Sequence, residues 1–159
     1  MISAIAQNGA IGSKNSLPWY LPADLKHFKN MTLNKTIVMG LNTFKSIGEK
    51  PLPNRKNIIL CNDPNYQIPE GCFLAKSIDQ VLEMTKNEQE IMICGGASIY
   101  EQFFTLAQRL YLTYIYHNFD GDIFFPKFNI DDWKQVSRED HQPDEKNLYK
   151  YSFVVLEKK

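Results

Sequence analysis

Short apolar runs alternate with helical patterns along most of this chain. Residues 2–6 predict a first strand. Apolar runs at 36–39, 57–61 and 91–94 are too short for buried helices and predict further strands. Pro22 opens a helical pattern over 22–31, a position where its missing N–H costs nothing. A helix is expected over 42–47, another from a Ser77 N-cap through 85, and a third after Gly95-Gly96 through 106. Residues 110–116 alternate as a strand, and 133–138 and 149–156 close the chain as two strands around a polar turn. Strand–helix alternation predicts an α/β fold. Its helix-free end adds an antiparallel pair, so the expected architecture is a central mixed, mostly parallel β-sheet with flanking helices. No repeat or linker interrupts the 159 residues, which predicts a single domain over residues 1–159. Ligands on such sheets sit at the carboxyl ends of strands, which directs attention to the residues after Ala6, Met39, Cys61 and Cys94.

Charge narrows the function. Lys+Arg and Asp+Glu both total 18, so the formal net charge is zero and a general nucleic-acid binder is disfavoured. The first residues carry no basic segment of a signal peptide, and no run approaches the ~20 apolar residues of a membrane helix. Three cysteines, Cys61, Cys72 and Cys94, are an odd number at spacings that fit no metal motif. They read as reduced thiols in a cytoplasm, with no metal centre expected.

Five segments could carry chemistry, and each has a plainer reading. Asp24 lies in the first turn of its helix. It either complements the helix dipole or, beside Leu25 and Phe28, offers a desolvated carboxylate to a flat heterocycle with two parallel N–H donors. Gly40 ends a strand and Leu41, Asn42 and Thr43 begin a helix, which suits a phosphate or simply makes a turn. There is no G-x-G-x-x-G, so a Rossmann fingerprint is absent. Arg55, stiffened by Pro51 and Pro53, is either a carboxylate clamp or a solvated surface arginine. Gly95-Gly96 permits close backbone approach to a ligand, or just turns the chain. Thr113 is either a β-former or a buried hydroxyl that needs a partner.

Order and spacing add what the single segments lack. Ile11-Gly12, Leu17-Pro18-Trp19, Leu21-Pro22-Ala23-Asp24-Leu25, Met39-Gly40, Thr43-Phe44, Ser46-Ile47-Gly48, Pro51-Leu52-Pro53-Asn54-Arg55-Lys56-Asn57, Gly95-Gly96, Gly121-Asp122, Phe124-Phe125-Pro126 and Asp132-Trp133 together resemble a bacterial dihydrofolate reductase, over about residues 2–156.

That resemblance implies an enzyme reducing 7,8-dihydrofolate to tetrahydrofolate with NADPH. It implies hydride transfer to pterin C6 and protonation of N5 through water. Asp24 then accepts hydrogen bonds from the pterin amino group and N3–H, supported by Thr113. Ile2, Ala4, Leu25, Phe28, Ile47 and Leu52 form apolar walls, with Cys94 and Tyr100 beside them, and Arg55 takes the substrate's glutamate α-carboxylate. Residues 15–20, including Asn15, Leu17 and Trp19, form a lid over the nicotinamide. The cofactor is expected to touch Ala4, Ile11, Asn15 and Leu17, then Gly40, Leu41, Asn42, Thr43 and Ser46. Further along it meets Leu60, Cys61, Asn62 and Lys76, and finally Cys94, Gly95, Gly96, Ala97, Ser98, Ile99, Tyr100 and Gln102. The resemblance also implies a cis peptide at Gly95-Gly96, a monomer, and antifolate-type ligands paired with Asp24. No nucleic acid or membrane partner is expected.

Three departures bear on the cofactor. Leu41 and Ser98 stand where the family usually has basic residues, and Cys61-Asn62 replaces a hydroxyl-rich pair. Lys76 or Lys45 is the candidate replacement charge, and a weaker preference for NADPH over NADH is expected. Cys94 replaces an aliphatic residue. Two rivals are a pyrimidine reductase of riboflavin synthesis on the same fold and an inactive binding protein. The combination of Asp24, Phe28 and Arg55 disfavours the first, and retention of Trp19 and Thr113 beside them disfavours the second.

Overall fold

The computed structural model describes residues 1–14 and 16–159. Helices α1 (Pro22–Thr32), α2 (Leu41–Ser46), α3 (Ile78–Met84) and α4 (Ala97–Phe103) alternate with strands through the first two thirds of the chain. Strands β3 (Thr36–Gly40), β4 (Lys56–Leu60), β5 (Cys72–Ala75) and β6 (Ile91–Ile93) form an all-parallel sheet in the order β5-β4-β3-β6. Strand β1 (Ile2–Ala6) lies parallel to β7 (Arg109–Ile115). Strand β10 (Tyr151–Lys158) pairs antiparallel to β7 and to β9 (Trp133–His141), giving the order β1-β7-β10-β9. This is the expected α/β arrangement, with parallel strands, flanking helices and an antiparallel C-terminal pair.

The central strands read clearly in sequence because both their faces are covered. Val38, Ile58 and Ile93 pack on one side with Leu110, Leu112 and Phe103. Ile37, Met39, Ile59 and Met92 pack on the other with Phe44, Ile2 and Tyr111. Strands buried on both faces lose the polar alternation and become continuous apolar runs. Ile2 and Tyr111 belong to the other sheet, so one core spans both.

Several boundaries differ from expectation. The last helix does not run to 106: it ends at Phe103, and Phe104–Leu106 forms a 3-10 turn. Cys61 and Cys94 fall just beyond their strands. Strand β9 continues through the polar residues 139–141 because β10 pairs with them, a contact no local pattern announces. A register shift opposite Val155 and Leu156 leaves Val136 unmatched and exposed. Three short strands were not anticipated: β5, β2 (Ala10–Gly12) and β8 (Ile123–Phe124).

The β2–β8 ribbon is held by a close approach at Gly121. A Cβ there would lie 2.7 Å from Ala10 Cβ and 2.9 Å from the carbonyl oxygen of Gly12, both inside normal contact. Gly121→Ala is therefore expected to push the ribbon apart and cost ~1–3 kcal/mol. At ~2–4 °C per kcal/mol, the melting temperature should fall by several degrees in a thermal scan. A variant melting within 1 °C of the parent would show that the ribbon yields freely.

Candidate active site

Helix α1 starts at Pro22, and the amide of Ala23 donates to Asn147 Oδ1 at 2.9 Å. Asn147 is itself fixed by Asp144, whose Oδ1 accepts from its backbone and side-chain N–H groups. A residue 124 positions away thus caps the helix and sets where Asp24 sits. Thr113, buried on β7, donates to Asp24 Oδ1 at 2.6 Å. Among the described residues no donor reaches Oδ2. Burial pushes the Asp24 carboxyl above its ordinary pKa, and the Thr113 hydrogen bond opposes this.

Asp24 opens into a cleft of about 1000 Å³. Its walls bring together Ile2, Ala4, Ile11, Leu17, Leu25, Phe28 and Ile47 with Gly40, Leu41, Asn42, Thr43 and Ser46. They continue along Leu60, Cys61, Asn62 and Lys76, and then Cys94, Gly95, Gly96, Ala97, Ser98, Ile99, Tyr100 and Gln102. Nearly all the residues expected around substrate and cofactor therefore share one cavity. Ser16, within the expected lid, also lines it, and sequence reasoning missed Ser3, Gly12, Asp63, Ser77, Asp122, Ile123 and Phe124. For the last three the missing signal was β8 itself.

Four expected residues lie off these walls. Thr113 stands behind Asp24. Trp19 is buried against Phe119, at 5.4 Å between ring centroids, and its Nε1–H has no partner among the described residues. Leu52 packs on the cluster around Ile37 and Phe44, its backbone clamped by Asn57. Arg55 faces a separate groove of about 670 Å³ with Lys35, Lys56, Glu88 and Glu90. Its Nε donates to the Pro53 carbonyl and its Nη1 to Thr32 Oγ1, which holds the guanidinium at the end of α1. Asn15 lies outside the described residues. Lys45, one of two candidate charges, is not on the cleft wall, whereas Lys76 is.

Strand ends β3 and β6 meet at glycines. Gly40 N–H donates to the Gly95 carbonyl at 2.8 Å, and a Cβ on Gly40 would lie 2.9 Å from Ile99 Cγ1. The Gly95-Gly96 peptide is cis. Tyr100 spends its hydroxyl on the Ile2 carbonyl at 2.6 Å, and burial drives its pKa upward. Burial likewise pushes the Cys94 thiol up to about 12, so it lines the cleft as a neutral, small side chain.

The sequence model of one family, described as "Dihydrofolate reductase", matches residues 1–158. The chain belongs to the dihydrofolate reductase family. It is 46% identical over 158 residues to the dihydrofolate reductase of Bacillus subtilis (strain 168), covering 99% of this chain and 93% of that one. It is 44% identical over 156 residues to dihydrofolate reductase type 3 of Salmonella typhimurium, covering 98% and 95%. A dihydrofolate reductase from Enterococcus faecalis, solved in complex with NADP(H) and RAB-propyl, superposes with a TM-score of 0.92. That structure shares 36% identity and covers 99% of this chain and 94% of its own.

The cavity fits a dinucleotide such as the NADPH this family uses. At about 1000 Å³, its lining takes in Asp24, the three glycines and Lys76. The glycines expose backbone where Cβ atoms would crowd Ile99, Tyr100 or Thr43. Among the described residues no helix is long and apolar enough to cross a membrane.

Proposed function

We propose that this family member reduces 7,8-dihydrofolate to 5,6,7,8-tetrahydrofolate with NADPH, and that the residues of the cleft take the following roles. The observation that carries the reading is Asp24, a desolvated carboxylate braced by Thr113 and open to the cavity through its second oxygen. Two parallel donors on a pterin, its amino group and N3–H, satisfy such a carboxylate. The Thr113 bond fixes the carboxylate plane, so the bound ring is oriented as well as held. Phe28, Leu25 and Ile47 give the ring system apolar walls and exclude water from them. Arg55, held outside the main cavity by Thr32 and Pro53, is the cation for the substrate's glutamate α-carboxylate.

Bound NADPH supplies the hydride that reaches pterin C6. The protein's part at that end is to present Gly40, Gly95, Gly96 and the following amides to the dinucleotide. The remaining proton must arrive at N5. Asp24 is occupied by the amino group and N3–H, so it polarises the pterin and does not touch N5. Trp19 has a buried N–H with no acceptor among the described residues, and holding a water near N5 would satisfy it. Leu17, half exposed on the cleft wall, is suited to gate that water.

The same reading takes residues 1–159 as one functional unit, monomeric and cytoplasmic. The three free cysteines support the reducing compartment in this reading. Diaminopyrimidine antifolates would occupy the Asp24 pairing in place of substrate. Mixing the protein with NADPH and dihydrofolate tests the reaction: the near-ultraviolet absorbance of the reduced nicotinamide should fall only when both are present. No dihydrofolate-dependent loss would refute it.

A further inference from the structure

Helix α1 is docked on the sheet of β1, β7, β10 and β9 by more than Asp24. Thr113 on β7, Phe153 on β10 and Glu139 on β9 are direct cross-strand partners, so they form one row on one face of that sheet. Tyr151 and His141, also partners, lie two positions along their strands and share the face. Asp24 and His27 are three apart and share one face of α1. Asp24 meets the row at Thr113. His27 meets it at Phe153, the next residue across: the two rings stack with centroids 3.8 Å apart and 8° between their planes. Asp24–Thr113 and His27–Phe153 are therefore adjacent contacts across one helix–sheet interface. Asp24 lines the cleft and His27 does not.

A second imidazole crowds the same ring. His141 stacks on Tyr151 at 4.8 Å and 9°, and its centroid lies 5.2 Å from that of Phe153. Its Nε2 is 2.7 Å from Glu139 Oε1, but out of line for a hydrogen bond. The titratable groups facing His27 are Glu139 and His141 from β9, Tyr151 from β10 and Asp24 from its own helix. Glu139 is the one carboxylate between two imidazoles. The first proton to arrive pairs with it, and the second meets a like charge in a half-buried setting. Burial holds His27 below the ordinary histidine range; Glu139 opposes this and His141 adds to it. We propose that His27 is a positioning residue for Asp24: the neutral ring clamps α1 onto Phe153 and keeps the carboxylate at Thr113, and protonation of that ring loosens the clamp and weakens substrate binding. This rests on the reductase reading above and adds a pH-sensitive control over how its substrate is held.

The parent, His27→Phe, His27→Gln and His141→Gln are compared between pH 8 and pH 5, by thermal scans without ligand and by calorimetric titration with dihydrofolate in the absence of NADPH. A phenyl ring keeps the flat stack and takes no proton, so His27→Phe should bind as tightly as the parent at pH 8. Between pH 8 and pH 5 the parent's affinity should fall about tenfold further than that of His27→Phe, within the ~100-fold that a misplacement of about 1 Å can bring. Asp24 and the ligand titrate in both proteins, so the ratio of their affinities isolates His27. A lowered folded-state pKa contributes stability that is present above the unfolded pKa and lost as pH falls through the folded one. The parent should therefore also lose more melting temperature than His27→Phe on going to pH 5. His27→Gln has no ring to stack and should bind more weakly than the parent already at pH 8. His141→Gln leaves Glu139 to His27 and should shrink the acid-side loss. Parallel affinity profiles for the parent and His27→Phe, or a His27→Gln that matches the parent at pH 8, overturn the inference. Should His27→Phe not fold, an acid-side loss in His141→Gln as large as the parent's overturns it. If the ligand-free melting profiles diverge as described while dihydrofolate is neither bound nor reduced, the clamp on α1 stands and the reductase reading fails.

Discussion

Asp24→Asn is expected to slow turnover about 100- to 1000-fold at neutral pH, the range seen when one preorganised polar group is removed from a reacting site. The amide is close in shape to the carboxylate and can still accept from Thr113, so the cleft should keep its form. What it loses is the negative charge that polarises the pterin toward protonation at N5. Lowering the pH should partly restore the rate, because a more acidic solution protonates N5 with less help from the protein. A pH–rate profile in which the variant equals the parent at pH 8 would contradict this role.

The same substitution should act in the opposite direction on stability. Burial raises the folded-state pKa of Asp24 above its ordinary value, so the folded chain binds this proton more tightly than the unfolded chain. The group's contribution is then most favourable below the unfolded pKa, and it declines as pH rises through the raised folded value. At neutral pH the ionised carboxylate costs stability, which the neutral amide does not. Ligand-free Asp24→Asn should therefore melt above the parent at pH 7, and the difference should narrow toward pH 4. A variant melting below the parent at pH 7 would show that the carboxylate is not under strain.

Phe44→Ala is expected to have the largest effect on folding. Phe44 is fully buried and is the one buried residue of the six-residue α2. Removing a large buried aromatic costs ~3–5 kcal/mol, because the surroundings collapse only partly into the space. For a chain of this size that lowers the melting temperature by roughly 6–20 °C. A helix so short has little stability of its own and is held by that anchor. Leu41, Asn42, Thr43 and Ser46, all on the cleft wall, depend on it for their position. NADPH affinity should fall together with stability, whereas Asp24→Asn should separate the two. A loss of less than 2 °C would mean that α2 is anchored elsewhere.

The elements that carried their own signal were those with uniform surroundings. The double-sided burial of β3, β4 and β6 writes apolar runs into the chain, and Pro22 and Ser77 mark two helix starts by local backbone chemistry. The Ser77 cap is observed, its Oγ accepting from Gln80 N–H. Residues 10–12 and 123–124 have no such signal, because their pairing joins segments more than a hundred positions apart. The extension of β9 depends in the same way on β10.

Most of the cleft wall could be read from motif order, since its residues follow strand ends, two of which run into glycines at Gly40 and Gly95-Gly96. What could not be read was which side chains are already committed to each other. Tyr100 spends its hydroxyl on β1, Arg55 is turned into a second groove by Thr32, and Asn147 caps α1 from the far end of the chain. The local pattern of apolar, helix-starting and turn residues thus specified the fold class, and the order of the motifs singled out Asp24 through the family resemblance. Only folding in three dimensions placed Thr113 on that carboxylate and stacked His27 on Phe153 beside it. Hydrophobic periodicity is a property of neighbours in sequence, whereas hydrogen-bond partners and local potential belong to neighbours in space.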